Sequence, residues 1–132
     1  MRTQTLFVPG PLPRLNELIG RERWYYYNAK KQWSRIIGQE IMRQHLRPME
    51  RVFIRWTWQE KTERRDIDNV TGIGKKFVLD ALVTMGILTN DGWKQIAGWT
   101  DEWIVVPESP GVSLILEERN VNGDDSIQAL LS

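Results

Sequence analysis

The sequence lacks several residue types and patterns that whole classes of protein require. It has no cysteine among its 132 residues, which excludes disulfides and thiolate metal sites. His45 is the only histidine, so a metal nuclease built on several histidines is excluded as well. No apolar run approaches a signal peptide or a membrane span, and no Gly-x-x-x-x-Gly-Lys-Ser/Thr loop is present. We therefore expect a cytoplasmic protein that uses no membrane and no nucleotide cofactor.

The remaining composition is that of an ordinary globular protein. Hydrophobic residues make up 41% of the chain and charged residues 27%, and the chain is long enough to bury a core without cross-links. We expect one domain over residues 1 to 118. A polar tail over 119 to 132 is expected to be disordered or to dock on a partner subunit.

The net charge of +1 conceals an uneven distribution of charge along the chain. Residues 1 to 65 contain fourteen of the eighteen Lys and Arg but only six of the seventeen Asp and Glu. A basic half is suited to follow a phosphate backbone, and an acidic half to hold a metal ion. The alternative is that these charges only solvate the protein surface.

Hydrophobic periodicity predicts a single α/β (α+β) domain with the order β-α-β-α-β-β and helices packed on a mixed sheet. Four segments have the composition or alternation of strands, with a turn at 107 to 111 between the last two: residues 3–8, 51–59, 95–106 and 112–117. In the second of these, one face is expected to be better buried than the other. Trp99 and Trp103 in the third are interpreted as packing residues.

The segment from Arg21 to Leu46 has the spacing of an amphipathic helix with basic residues between its apolar positions. Its Lys and Arg side chains are candidates to contact DNA phosphates, and Tyr25 or Tyr26 to stack on an unpaired base. The alternative is that Trp24 and Trp33 belong to the core and that the basic side chains form an ordinary surface.

The most informative stretch is residues 64–91, RRDIDNVTGIGKKFVLDALVTMGILTND, which contains four aspartates. Such carboxylates repel one another unless a cation lies among them, and a hard divalent ion such as Mg²⁺ prefers oxygen ligands. A calcium loop is excluded because, counted from Asp66, positions five, six and twelve are Val70, Thr71 and Phe77. The alternative is a turn whose aspartates cap the following helix.

The order of residues in this stretch resembles that of the RusA-type Holliday-junction resolvases, metal-dependent endonucleases often carried by phages and prophages. The match consists of Arg65-Asp66-Ile67-Asp68-Asn69, Lys76 four residues before Asp80-Ala81-Leu82, Gly86, and the acidic turn ending at Asp91. A looser match covers Pro11, Pro13 and Asn16. The resemblance implies a homodimeric endonuclease that uses Mg²⁺ or Mn²⁺ and cleaves branched DNA during recombination and repair.

In the family, aspartates that match Asp66, Asp68 and Asp91 carry the metal chemistry, and a lysine that matches Lys76 assists. Two metal ions about 3.5 to 4 Å apart would activate a water and stabilise the leaving 3′ oxygen. The lysine would offset charge on the phosphate. The residues expected to contact DNA are Asn16, Arg23, Lys30, Lys31, Arg35, Arg64, Arg65, Asn69 and Lys75. A non-catalytic protein that binds DNA structures is the alternative function.

Two departures from the family pattern leave alternatives open. The chain is about four residues longer around Thr71 to Lys75, which makes Lys75 a rival of Lys76, and Asn90 replaces the first of two adjacent aspartates. Asp80 is either a further metal ligand or a group that holds the lysine.

The start of the second helix decides how the acidic residues can meet. Gly72 and Gly74 weaken its first turns by about 1 kcal/mol each, so we predict a helix from Lys75 to Met85 with Lys76 in its first turn. Asp91 could then return to the other aspartates. If the helix instead begins at Asn69, that return becomes tight.

Overall fold

The computed structural model describes residues 2–12, 23–64 and 67–120, with the side chains of 67–70 left outside the description. The elements follow one another as β1 (Thr3–Pro9), α1 (Arg23–Arg43), β2 (Val52–Glu60), α2 (Ile67–Thr84), β3 (Ile96–Val105) and β4 (Gly111–Glu118). The predicted α+β class and element order are confirmed. No helix within the described ranges is both long and apolar enough to cross a membrane.

The four strands form one mixed sheet in the order β1-β4-β2-β3. β3 runs parallel to β2, and α2 makes the crossover that two parallel strands require. β4 runs antiparallel to both β1 and β2 and lies between them. The last two strands are therefore consecutive in the chain but not neighbours, and β3 lies at the edge of the described sheet.

The core lies between one face of the sheet and the two helices. On β2, the side chains of Val52, Ile54, Trp56 and Trp58 are buried, which confirms the predicted one-sided burial. The two indoles stack with their ring centroids 5.4 Å apart. Phe77 and its neighbours on α2 pack against the same cluster. Burial of this large aromatic and aliphatic surface is the main source of stability.

Helix α2 begins at Ile67, eight residues before the predicted start at Lys75, so that prediction was wrong. The reason lies in Gly74, where an added Cβ would come within 2.7 Å of the Trp58 ring. The missing side chain lets α2 approach the sheet closely, and the burial gained along the helix outweighs the low propensity of glycine. The eighteen residues of α2 span roughly 26 Å.

The turn after α2 fixes where the chain re-enters the sheet. Gly86 has φ +78°, the left-handed conformation that glycine adopts most readily at a helix C-terminus. The N–H groups of Gly86 and Ile87 donate to the carbonyls of Val83 and Leu82 at 3.0 and 2.9 Å. Met49 N–H donates to Ile87 O at 2.8 Å, which ties this turn to the segment that leads into β2.

Candidate catalytic and DNA-binding site

Asp68, the described member of the acidic pair, lies where β2 gives way to α2. Asp68 and Asn69 belong to the first turn of α2 and thus follow the C-terminal end of β2. A carboxylate in the first turn of a helix is stabilised by the unpaired N–H groups and the helix dipole. Asp66, Arg65 and Asn16 lie outside the described residues, as do the side chains of Asp68 and Asn69.

Asp91 lies in an ordered, exposed turn directly before β3. Its N–H donates to Asn90 Oδ1 at 2.8 Å, and the N–H groups of Gln95 and Ile96 donate to Gly92 O at 3.1 and 2.9 Å. Val52 N–H, at the start of β2, donates to Gln95 O at 2.8 Å. These bonds place Asp91 at the N-terminal ends of β2 and β3.

Asp68 and Asp91 therefore lie at opposite ends of the sheet within one chain. β2 and β3 run side by side, with Val52 opposite Ile96 and Glu60 opposite Val105. Asp91 precedes β3 and lies beside the start of β2, whereas Asp68 follows β2 and starts a helix that runs back along it. The separation is on the order of 20 Å, given the rise along α2 and β2. Among the residues that the structure describes, no group of three or more Asp, Glu or His is placed to hold a metal ion.

Lys75 points towards the sheet and is largely buried. Its Nζ lies 2.6 Å from Asp101 Oδ2 on β3 and 4.5 Å from the centre of the Trp99 ring. Asp101 also accepts a hydrogen bond of 2.9 Å from Trp58 Nε1. The exposed fractions of the Lys75 and Asp101 side chains are 14% and 18%. This ion pair attaches α2 to the edge strand, an arrangement that supports a packing role for Lys75.

Lys76 points away from the sheet into a cluster between the two helices. Asp80 Oδ2 lies 3.8 Å from Lys76 Nζ and 3.7 Å from Lys30 Nζ on α1. The Lys76 side chain is 54% exposed. Asp80 thus contacts two lysines, and the cluster keeps one net positive charge. The sequence predicted Lys76 in the first turn of this helix. Because α2 begins at Ile67, Lys76 instead lies roughly 12 Å along the helix from Asp68.

The other described residues predicted to contact DNA are exposed. Arg23, Lys31 and Arg35 project from α1, and Arg64 follows β2. Tyr26 is half-buried, with its ring centroid 5.9 Å from that of Phe77, and is therefore the poorer candidate for base stacking. Tyr25 is exposed and stacks on Trp24 at 4.2 Å.

On the face of the sheet opposite the helices, Arg55 and Arg119 both pair with Glu117. Arg55 Nε lies 2.5 Å from Glu117 Oε1, and Arg119 Nη2 lies 3.1 Å from Glu117 Oε2. The hydrogen bond from Arg55 holds the pKa of Glu117 below its usual value, with Arg119 adding to the effect, and the same bond raises the pKa of Arg55. The exposed basic side chains of Arg23, Lys31 and Arg35 lie on α1, in the helical layer.

Sequence reasoning missed several exposed aromatic and aliphatic side chains near β3. Trp93, in the turn after Asp91, is 95% exposed. Trp99 and Trp103, interpreted from the sequence as packing residues, are 46% and 40% exposed. Ile104 and Val105 are exposed on the same strand. The unbroken apolar run from Trp103 to Val106 is typical of a buried strand, so no local pattern indicated this exposure.

Comparison with known proteins adds no relative from which residue roles could be transferred. A scan against models of known protein families gives no match to this chain, and a search of curated proteins gives none either. The resemblance to the junction resolvases therefore rests on the residues themselves, chiefly those from Arg64 to Asp91.

Proposed function

We propose that this protein is a Mg²⁺-dependent endonuclease that cleaves branched DNA, Holliday junctions among them, and that it acts as a homodimer. The observation that carries this proposal is the arrangement around α2. Its first turn contains Asp68 at the end of a buried strand, while Lys76 on the same helix is exposed beside Lys30. Rigid elements of this kind give metal ligands the fixed geometry they need.

The carboxylates fit Mg²⁺ in their chemistry but not in their placement within a single chain. Aspartate oxygens are the ligands that this ion prefers. Asp91 lies at the other end of the sheet from Asp68, however, so one chain does not gather the predicted ligands. If Asp66, Asp68 and Asp91 bind the same metal ions, Asp91 must come from a second copy of the chain.

The edge strand offers a way to build such a dimer. β3 is ten residues long and exposes Trp103, Ile104 and Val105, and an exposed apolar edge strand is prone to pair with another strand. Antiparallel pairing of two β3 strands about a twofold axis would bring the start of one β3 to the end of the other. The Asp91 turn of one subunit would then lie near Asp68 of the partner subunit. Twofold symmetry gives two such sites, one for each strand to be cut.

Bound Mg²⁺ would supply an activated water and stabilise the leaving 3′ oxygen. The side chains of the chain itself hold and orient the DNA. Lys30 and Arg35 bind phosphates along the helical layer. Lys76 offsets charge on a phosphate that lies between it and Asp68. Helical side chains tilt towards the N-terminus, so an extended lysine side chain reaches about half of the distance from Lys76 to Asp68. An exposed ion pair such as Lys76 with Asp80 contributes only about 0 to 1 kcal/mol, so Lys76 can leave Asp80 at little cost.

A non-catalytic protein that binds DNA structures is the second candidate function. The observation that favours it is the separation of Asp91 from Asp68, together with Asn90 in place of an acidic residue. Both functions use the basic helical layer, and they differ only in cleavage.

Incubation of a labelled synthetic four-way junction with the protein and Mg²⁺ separates the two functions. We expect symmetric nicks near the branch point. Asp68→Asn should abolish them while binding stays intact or becomes tighter, because a metal ligand and a repulsive charge are lost together. Glu50→Gln removes one exposed carboxylate elsewhere and serves as the matched control. Binding without cleavage by the unmodified protein would favour the second function.

A further inference from the structure

The N-terminal half of α1 presents aromatic and basic side chains on one exposed face, which we call the α1 stripe. Its members recur at intervals of three or four residues, which places them on the same side of the helix, and all are exposed: Trp24, Tyr27, Asn28, Lys31 and Arg35. The exposed fractions of Trp24 and Tyr27 are 52% and 61%. A group of large exposed aromatic side chains is informative, whereas single ones are common on protein surfaces.

Contacts within α1 and with the core restrict the two aromatic rings of the stripe. The Tyr26 ring meets Tyr27 edge-on, with ring centroids 6.2 Å apart, and Tyr26 packs in turn on Phe77 in the core at 5.9 Å. Trp24 stacks on Tyr25 at 4.2 Å. Because these rings are held before anything binds, less conformational entropy is lost when a flat ligand stacks on them.

The α1 stripe lies in a positively charged part of the helix. From Arg23 to Gln39, α1 contains four Lys and Arg but no Asp or Glu. Glu40, the first acidic residue of the helix, pairs with Arg43 at 2.6 Å, and Asp80 of α2 lies 3.7 Å from Lys30 Nζ. These two carboxylates are thus engaged with cations outside the stripe. The stripe is therefore suited to an anionic partner.

A single strand of nucleic acid matches both the charge and the rings. Its phosphates are anionic, and its unpaired bases expose flat faces that stack on aromatic side chains, whereas a duplex shows only the edges of its bases. The exposed Arg23 lies at one end of the two aromatic side chains, and Lys31 and Arg35 lie at the other. From Arg23 to Arg35 the helix rises roughly 18 Å, which equals about five stacked nucleotides.

An anionic membrane surface matches the α1 stripe less well. A helix that lies on a membrane keeps its apolar residues on one face and its cations on the opposite face. In α1 the exposed aromatic side chains lie between cations on the same face. The apolar face of the helix, which includes Ile37 and Ile41, is buried in the core.

We propose that the α1 stripe binds single-stranded DNA, with bases stacked on Tyr27 and Trp24 and with phosphates on the flanking cations. The structure favours Tyr27 over Tyr25 and Tyr26, the two tyrosines named from the sequence, because it is the most exposed of the three. The inference deepens the proposed function, on which it rests for the identity of the nucleic acid. It names the preferred substrate class, branched DNA with an unpaired arm, such as a fork or a flap.

Fluorescence anisotropy with a labelled oligothymidylate of about twelve nucleotides tests the proposal in EDTA, where no metal-dependent cleavage occurs. We expect Tyr27→Ala to weaken binding by about fivefold or more, because a stacked base is lost, and Tyr27→Phe, which keeps the aromatic face, to weaken it by less than about twofold. Affinity for a duplex of the same length should stay unchanged in both variants. Trp93→Ala removes an exposed indole from another surface and serves as the matched control, with normal oligothymidylate binding.

Four results would overturn the proposal. Oligothymidylate binding unchanged in Tyr27→Ala would exclude stacking, and an equal loss in Tyr27→Phe would assign the contact to the hydroxyl group. A matching loss of duplex affinity would show that Tyr27 contacts the DNA backbone and not a base. Binding to vesicles of anionic lipid that requires Tyr27, without binding of the oligothymidylate, would identify a membrane surface instead.

The α1 stripe and the proposed nuclease can fail separately. Oligothymidylate binding that requires Tyr27, in a protein that cleaves no branched DNA, would refute the nuclease and leave the strand site standing. Cleavage of four-way junctions by a protein whose Tyr27→Ala variant binds the oligothymidylate normally would refute the strand site alone.

Discussion

Lys75 and Lys76 are adjacent in the chain, yet the structure gives them separate environments. Their substitution by alanine should therefore affect different properties of the protein. Neighbouring side chains on a helix point roughly 100° apart. Lys75 faces the sheet and pairs with Asp101, whereas Lys76 is exposed beside Asp80. We expect Lys75→Ala to change mainly the stability of the protein, and Lys76→Ala mainly the rate of cleavage.

The cost of Lys75→Ala follows from the contacts that it removes. The substitution breaks a hydrogen-bonded ion pair of 2.6 Å and leaves the Asp101 carboxylate, only 18% exposed, with the single partner Trp58. Loss of a hydrogen bond to a charged group costs about 1.5 to 3 kcal/mol. In a domain of this size each kcal/mol lowers the Tm by about 4 °C, so we expect a decrease of roughly 6 to 12 °C. Lys76→Ala removes only an exposed pair and should leave the Tm nearly unchanged.

The cleavage rate should fall more in Lys76→Ala than in Lys75→Ala, the reverse of their ranking by loss of stability. Lys76→Ala should reduce the rate by on the order of a hundredfold or more with little loss of binding, the scale expected when a group that stabilises transition-state charge is removed. Lys75→Ala should be mild, provided that the assay runs well below its Tm. Thermal unfolding and single-turnover cleavage of a labelled junction measure the two effects. A larger loss of rate in Lys75→Ala than in Lys76→Ala would refute the orientation of α2 described above.

Two further pairs of variants test the packing of α2 and the basic layer. Gly72→Ala should stabilise the protein by about 1 kcal/mol, because an added Cβ there meets no atom within 4 Å. Gly74→Ala should destabilise the protein by about 1 to 3 kcal/mol, because its Cβ would clash with Trp58. Denaturant unfolding measures both changes in stability, and equal effects would contradict the close packing at Gly74. Lys30→Gln and Lys31→Gln should each flatten the log-log dependence of junction affinity on salt by about one unit. An unchanged slope for either variant would place that lysine outside the DNA contact.

Local periodicity predicted most of the fold. Strand-prone composition, turn signals and, in β2, alternation predicted the bounds of the four strands to within one residue, and β1, predicted over residues 3 to 8, is observed at Thr3–Pro9. The early start of α2 could not be predicted, because the propensity of Gly72 and Gly74 is a local property, whereas the contact of Gly74 with Trp58 joins residues distant in the chain. The position of β4 between β1 and β2 is likewise set by contacts between distant segments.

The candidate site was predictable only as a set of residues. Spacing indicated that Lys75 and Lys76 point in different directions, but the position of the sheet relative to α2 was needed to decide which of them is buried. The spacing of residues in the sequence also could not reveal that a parallel crossover carries Asp91 to the far end of the sheet from Asp68. The exposure of Trp99 and Trp103 depends on β3 being an edge strand, which only the sheet order shows.

The central claim, that two chains share each catalytic site, is tested by mixing two inactive variants. Asp68→Asn and Asp91→Asn subunits should each fail to cleave a junction as homodimers. In a mixed dimer with shared sites, one site collects both substitutions and the other contains none, so a single intact site remains.

We therefore predict that the two inactive proteins, unfolded and refolded together, regain the ability to nick one strand per junction. The amount of active dimer should reach at most about half of the total dimer. Twofold mixing statistics set this upper limit, because only half of the random dimers contain both variants. Refolded mixtures of unmodified protein with each variant control for recovery and exchange of subunits. Complete inactivity of the mixed dimers, with full recovery of the controls, would show that each site is built from one chain and would contradict the account.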